Sequence, residues 1–319
     1  MVAITYFCPV AKNHPIGGVK VIHQHVAALV GAGVDCAIIQ PINKNERTPW
    51  FESTAPIRTS NTFDPKNDFI VIPESWAGQF SRQCYENGIK YALFVQNGYS
   101  ICNAVDEPSL AEIRRAYQNA SLILSISDDT SAMVSLAYPD TANRILQVSP
   151  SIGDIFAPGP KSKTISYMPR KLPEHATLLR HLLHLRLPQG WEVVAIEKQN
   201  EADVARTLSK SSIFLSLCDQ EGFGLPPLEA AVSGALVIGY TGQGANEYFE
   251  SPNFRKIANG DFKSFVEETL RAVEDVERGL LQSAAFDAGM TRVKARYSRE
   301  NQLARLLALS RKAEEIVRA

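Results

Sequence analysis

The chain has 319 residues, enough for two domains of ordinary size, each with its own core. Lys and Arg total 33 against 34 Asp and Glu, so the formal charge of -1 removes any general electrostatic reason to bind nucleic acid or an acidic membrane. Cys8, Cys36, Cys84, Cys102 and Cys218 lack Cys-x-x-Cys spacing, which argues against a zinc ribbon and suits a reducing, cytoplasmic setting.

The start, MVAITYFCPVAKNHP, has no basic leader and breaks soon after its apolar residues, so it reads as a first strand rather than a signal peptide. The loop AKNHPIGG and the helical pattern VKVIHQHVAALVGAG follow, then VDCAIIQP as a second strand, which makes a βαβ unit. His23 and His25 on that helix point to different faces and are expected on its surface, not around a metal. DFIVIPES, YALFVQN and SLILSIS give three more apolar strands, with the helix AEIRRAYQNA between the last two. Ser127, Asp128 and Asp129 read as a helix cap, because short polar side chains satisfy free amides there. This alternation predicts a doubly wound parallel sheet. RILQVSPSIGDIFAPGP, with three prolines and two glycines, is the expected crossing between domains, with a hinge near Pro158.

The second half repeats the pattern, with KTISYM, WEVVAI, IFLSLC and ALVIGY as strands and HATLLRHLLHL and EADVARTLSK as helices. DFKSFVEETLRAVED and GLLQSAAFDAGMTRV are further helices, and ENQLARLLALSRKAEEIVRA closes the chain as an amphipathic one. The expected division is 1–158 and 159–295, followed by the helical segment 296–319. No segment is long and apolar enough to span a bilayer, so any membrane contact is expected to be peripheral. There is no nucleophile elbow, P-loop or zinc spacing, and no signal of oligomeric state.

The most informative stretch is EGFGLPPLEAAVSGALVIGY, from Glu221 to Tyr240. Pro226 and Pro227 fit a first helical turn and Gly234 fits just past its end, so a short helix lies between two buried strands. In such a unit the loop leaving the first strand carries the ligand, and the helix start favours a phosphate. Glu229, expected in the first turn, suits a vicinal diol such as a ribose. Glu221, expected in the loop, lies nearer a sugar attached to that phosphate. Gly222 and Gly224 leave room for close backbone approach, while Phe223, Leu225 and Leu228 anchor the loop. Either acid alone is equally at home as a helix-dipole partner or a solvated loop residue; the nine-residue string together points to a site.

EGFGLPPLE resembles the Glu-x7-Glu motif of glycosyltransferase family 4, retaining enzymes of the GT-B fold. GDIFAP and GQGANEY, the latter containing Glu247, resemble other segments of that family, so the likeness covers nearly the whole chain. The resemblance implies two Rossmann-like parallel-sheet domains facing across a cleft, an acceptor-side first domain and a donor-binding second domain. It also implies that the last helix returns to the first domain. It further implies a metal-independent hexosyltransferase with no cofactor besides its nucleotide diphosphate-sugar co-substrate. The acceptor would be a hydroxyl on a glycan, lipid-linked or protein acceptor, in cell-surface polysaccharide or glycoconjugate synthesis. Glu221 would contact the transferred sugar and Glu229 the nucleotide ribose, and Gly17 and Gly18 would form a loop facing the donor phosphates.

A leaving diphosphate gains negative charge, so a site without metal needs cations aimed at it. Arg170 and Lys171, just beyond the strand KTISYM, are the candidates. They depart from the family, whose basic pair is separated by several residues; adjacent side chains diverge. Gln96 stands where many relatives carry a His, and it can orient a hydroxyl but not act as a base. His14, Gln96, Asn97 and Tyr99 are the acceptor-side candidates. Two other readings fit the same fold: a nucleotide-sugar epimerase, and a non-catalytic sugar-nucleotide-binding or partner subunit.

Overall fold

The computed structural model describes residues 2–8, 15–40, 48–59, 62–104, 107–250 and 252–319. The chain divides into two compact units, Met1–Ser151 with Arg299–Ala319, and Ile152–Ser298. The change of unit thus falls at Ser151, ahead of Pro158. The physical reason is that β7 (Ile145–Gln147), inside the proline-rich segment, still pairs with the first sheet before the chain leaves it.

In the first unit seven parallel strands run in the order β3-β2-β1-β4-β5-β6-β7. β1 (Ile4–Phe7), β2 (Cys36–Ile39), β4 (Phe69–Pro73), β5 (Tyr91–Val95) and β6 (Leu122–Ser125) are buried along their whole length. That is why they read as continuous apolar runs rather than alternating ones. Edge strands β3 (Ile57–Arg58) and β7 are too short to leave a pattern in the sequence.

Helix α1 (Gly17–Gly31) packs on both β2 and the last helix, α10 (Arg299–Arg318), so little of its surface is left for solvent. Leu306, Leu309 and Ala313 of α10 are fully buried, each Leu contributing about 2 kcal/mol by leaving water. Ser151 Oγ donates to Gln302 Oε1 at 2.8 Å, tying the exit from the sheet to α10.

This covering corrects the expectation that His23 and His25 lie on a helix surface: both are buried. His25 stacks on Phe94 at 5.0 Å and lies 3.3 Å from the Tyr6 hydroxyl, and burial lowers its pKa to about 3, so it is a neutral core residue. His23 is 2.8 Å from Ser53 Oγ and meets the edge of Phe51.

The second unit is a five-stranded parallel sheet in the order β9-β8-β10-β11-β12. Its strands are β8 (Ser162–Tyr167), β9 (Glu192–Ala195), β10 (Ser211–Glu221), β11 (Leu236–Gln243) and β12 (Phe254–Lys256). Helices α5 (Pro173–His184), α6 (Glu201–Lys210), α7 (Leu225–Val232), α8 (Phe262–Glu277) and α9 (Ala284–Arg296) complete it. Numbered within the unit, the strand order is 2-1-3-4-5. Connections leave β8 and β10 in opposite directions, which opens a crevice at their carboxyl ends, the ligand position of doubly wound sheets.

Candidate functional site

The crevice between β8 and β10 brings Lys171 and Glu221 together. β8 ends at Tyr167, a turn follows, and Lys171 precedes α5; its Nζ lies 2.8 Å from Glu221 Oε2. That oxygen is out of reach of solvent and accepts no aligned hydrogen bond, so the ammonium is its neutralising group. A buried acceptor left in this state is unusual enough to mark a site. Arg170 beside it is exposed and has no ion pair among the described residues.

Glu221 is the last residue of β10, not a loop residue as expected, because the strand continues past a bulge. Cys218 pairs with Thr241, the register then shifts, and Glu221 pairs with Gln243. Gln220 within the bulge has φ 45° and Gln243 φ 73°, a left-handed backbone uncommon outside glycine. The glycines on either side of Gln243 permit the contact. A Cβ on Gly244 would lie 2.4 Å from the Glu221 carbonyl oxygen, and one on Gly242 would lie 2.8 Å from Glu221 Cβ. The GQGANEY loop is therefore the wall against which Glu221 is held.

The motif helix α7 starts at Leu225, with Gly224 as N-cap at φ 81° and the prolines in its first turn. Gly234, at φ 82°, follows its end, with Ala235 N donating to Ala230 O at 3.0 Å. The two prolines remove two of the four amides that a helix start leaves free, so Gly224 and Leu225 carry the remaining protons. Glu229 consequently sits in the second turn, not the first, and is only 6% exposed.

Behind this loop, Phe223 packs between Tyr248 and Tyr297, each 5.3 Å away between ring centres. The buried Tyr248 hydroxyl donates to the Phe223 carbonyl at 3.1 Å and also touches that of Gly224. Tyr297 Oη donates to Glu247 Oε1 at 2.8 Å, and Arg296 Nη1 donates to the Glu247 carbonyl at 2.6 Å. Neither tyrosine has a role in the sequence reading, although Tyr248 ends the GQGANEY segment.

In the first unit, Gly17 and Gly18 are the first residues of α1 rather than a loop before it. The space over Gly18 is filled: a Cβ there would lie 1.7 Å from Gln96 Oε1, and Gln96 Nε2 donates to the Gly18 carbonyl at 3.3 Å. Asn97 Oδ1 caps the short 3-10 turn Gly98–Ser100 by accepting from Tyr99 N at 3.0 Å. Tyr99 Oη donates to Asp129 Oδ2 at 2.9 Å, at the start of α4 (Asp128–Ala137), which Ser127 caps. Glu74, the residue after β4, was not singled out in the sequence, yet it accepts from Asn97 N at 3.0 Å. His14 lies outside the described residues.

Among the described residues no three His, Cys, Asp or Glu side chains gather as a metal cluster would, and no helix is long and apolar enough to cross a membrane.

No protein-family model matches the chain. It is 24% identical over 316 residues to an alpha-1,6-glucosyltransferase of Actinobacillus pleuropneumoniae serotype 7 (strain AP76), covering 92% of this chain and 89% of that one. Among solved structures it resembles sucrose-phosphate synthase from Thermosynechococcus elongatus at TM-score 0.72 and 12% identity, over 98% and 99% of the two chains. It resembles Anabaena HepE in complex with UDP-glucose at TM-score 0.70 and 11% identity, over 97% and 99%. With its two doubly wound parallel sheets, the chain has the GT-B fold.

Proposed function

We propose that the protein is a retaining glycosyltransferase of family 4 type, moving a hexose from a nucleoside diphosphate donor to a hydroxyl acceptor in polysaccharide or glycoconjugate synthesis. The observation that carries this reading is the Lys171–Glu221 pair at the crevice of the second sheet, directly before the proline-started helix. The nature of the relatives supports it, and HepE bound to UDP-glucose makes UDP-glucose the first donor to test.

In this reading the diphosphate lies against Lys171, Arg170 and the amides of Gly222 to Leu225. Glu229 holds the ribose hydroxyls, and Glu221 accepts from hydroxyls of the transferred sugar. Lys171 then meets the phosphate charge that grows in the transition state, the function a divalent cation would otherwise serve. The bond from sugar C1 to the phosphate oxygen breaks with its electrons going to the diphosphate. The acceptor oxygen bonds to C1 on the same face, and its proton leaves on a phosphate oxygen of the departing nucleotide. Gln96 and Asn97 are proposed for the acceptor side.

Calorimetric titration of UDP tests the assignment of the two acids. Glu229→Ala is expected to weaken UDP binding by about tenfold or more, as losing a charged hydrogen-bond acceptor does, while Glu221→Ala leaves it within about threefold. Equal affinity in wild type and Glu229→Ala would remove Glu229 from the ribose.

A further inference from the structure

Glu74 has no part in the reading above, yet it is a buried carboxyl at the end of a central strand. It opens the 3-10 turn Glu74–Trp76 at the carboxyl end of β4 and is 8% exposed. Its carboxylate accepts from the Asn97 backbone amide at 3.0 Å, the amides of Gln96 and of Glu74 itself also favour its charge, and no Lys, Arg or His among the described residues pairs with it.

Among the described residues the neighbouring elements offer no counter-charge. Arg82 of α2 (Gln79–Glu86) is paired with Glu112 of α3 (Leu110–Asn119) at 3.1 Å, and Asp129 of α4 accepts the Tyr99 hydroxyl. The buried phenol of Tyr117 on α3 is the titratable group on which Glu74 acts. Burial, only partly offset by the peptide amides, pushes the Glu74 pKa up to about 7. A glutamine would accept an amide proton without a buried charge, so this position breaks a stability rule, and such breaks concentrate at functional sites.

The place of the break gives its meaning. One run of hydrogen bonds goes from Glu74 to Asn97, from Asn97 to Tyr99 and from Tyr99 to Asp129, tying the ends of β4 and β5 to the start of α4. Gln96, the residue before Asn97, has its carboxamide over the Gly18 carbonyl. We infer that ionised Glu74 is a positioning residue for acceptor binding, holding the 96–99 turn so that the Gln96 carboxamide stays fixed over Gly18. Its acceptor role rests on the proposed function. Protonation removes one amide acceptor and loosens the turn, so acceptor use improves as pH rises through neutrality.

The test uses the full chain, wild type and Glu74→Gln, at pH values from about 6 to about 8. Amide hydrogen exchange at Gln96 and Asn97, corrected for intrinsic rates, reports the hold on the turn. UDP release from UDP-glucose, with methyl glucoside as acceptor, gives the pH profile. In wild type both protection and the rate at low acceptor are expected to rise about tenfold over that range, following the ionised fraction of a group titrating near 7. In Glu74→Gln both become flat, while UDP affinity by calorimetry matches wild type. A pH-independent wild type that binds UDP, or a variant that keeps the wild-type profile, overturns the role of Glu74 alone. Failure of both proteins to bind UDP overturns the proposed function, and the acceptor role falls with it.

Discussion

Replacing Glu74 by Gln should change how stability depends on pH, by an amount set by the burial of that carboxyl. The folded-state pKa of about 7 lies above the ordinary 4.5, so the native state binds the proton more tightly than the unfolded chain does. The sign follows: Glu74 costs no stability below about pH 4.5, and the cost grows as pH rises through the interval and is complete above about pH 7. The rise from 4.5 to about 7 corresponds to about 3 kcal/mol, at about 1.4 kcal/mol for each tenfold gain in proton affinity. Glutamine cannot titrate, so the stability of Glu74→Gln relative to wild type should rise by about 3 kcal/mol between acid and alkaline conditions, whatever its offset at low pH.

Tryptophan fluorescence can follow the correct unit. Trp50 and Trp76 lie in the first unit and Trp191 in the second, and Trp76 shares the 3-10 turn with Glu74. Urea unfolding in a Trp191→Phe background therefore reports on the first unit, avoiding the mixed transition of a two-unit chain. All other titrating groups are common to both proteins and cancel in the difference. Parallel stability curves for the two proteins across pH would refute the argument that a buried carboxylate is held there at a cost.

Two further substitutions probe the backbone contacts. Gly244→Ala places a Cβ 2.4 Å from the backbone of Glu221 and Gly222, which cannot yield as a side chain end would; a loss of about 1–3 kcal/mol in the second unit is expected, read by Trp191 fluorescence on urea unfolding. Gly18→Ala meets only the flexible end of Gln96, so the first unit should lose less than about 1.5 kcal/mol, while Gln96 loses its hold on the Gly18 carbonyl and acceptor KM rises with UDP affinity unchanged.

Much of the architecture is legible in the sequence because the central strands are buried on both faces and appear as unbroken runs of Ile, Val, Leu and Phe. The bounds of α7 are legible for a different reason: prolines and a left-handed glycine each fit few backbone conformations. β3, β7 and β12 are two or three residues long and owe their existence to a neighbour's hydrogen bonds, which no local pattern encodes. The bulge at Gln220 carries β10 through to Glu221, since pairing with β11 resumes after the slip.

At the candidate site the acids and cations could be named from type and spacing, but not their meeting. Lys171 reaches Glu221 only because β8 and β10 are adjacent in the sheet although β9 lies between them in the chain. A lone Glu after an apolar run, such as Glu74, looks like any strand end; only its burial and the Asn97 amide set it apart. The resemblance puts Gly18 in a loop facing phosphates, whereas the side chain of Gln96, distant in sequence, fills the space over it.

The central claim, that the Lys171–Glu221 crevice transfers a sugar from a nucleotide, is tested most directly by UDP release from UDP-glucose in wild type and Glu221→Ala. Turnover in wild type and a loss of about a hundredfold or more in the variant, with UDP still bound, is the predicted result. Equal turnover in the two proteins would contradict it.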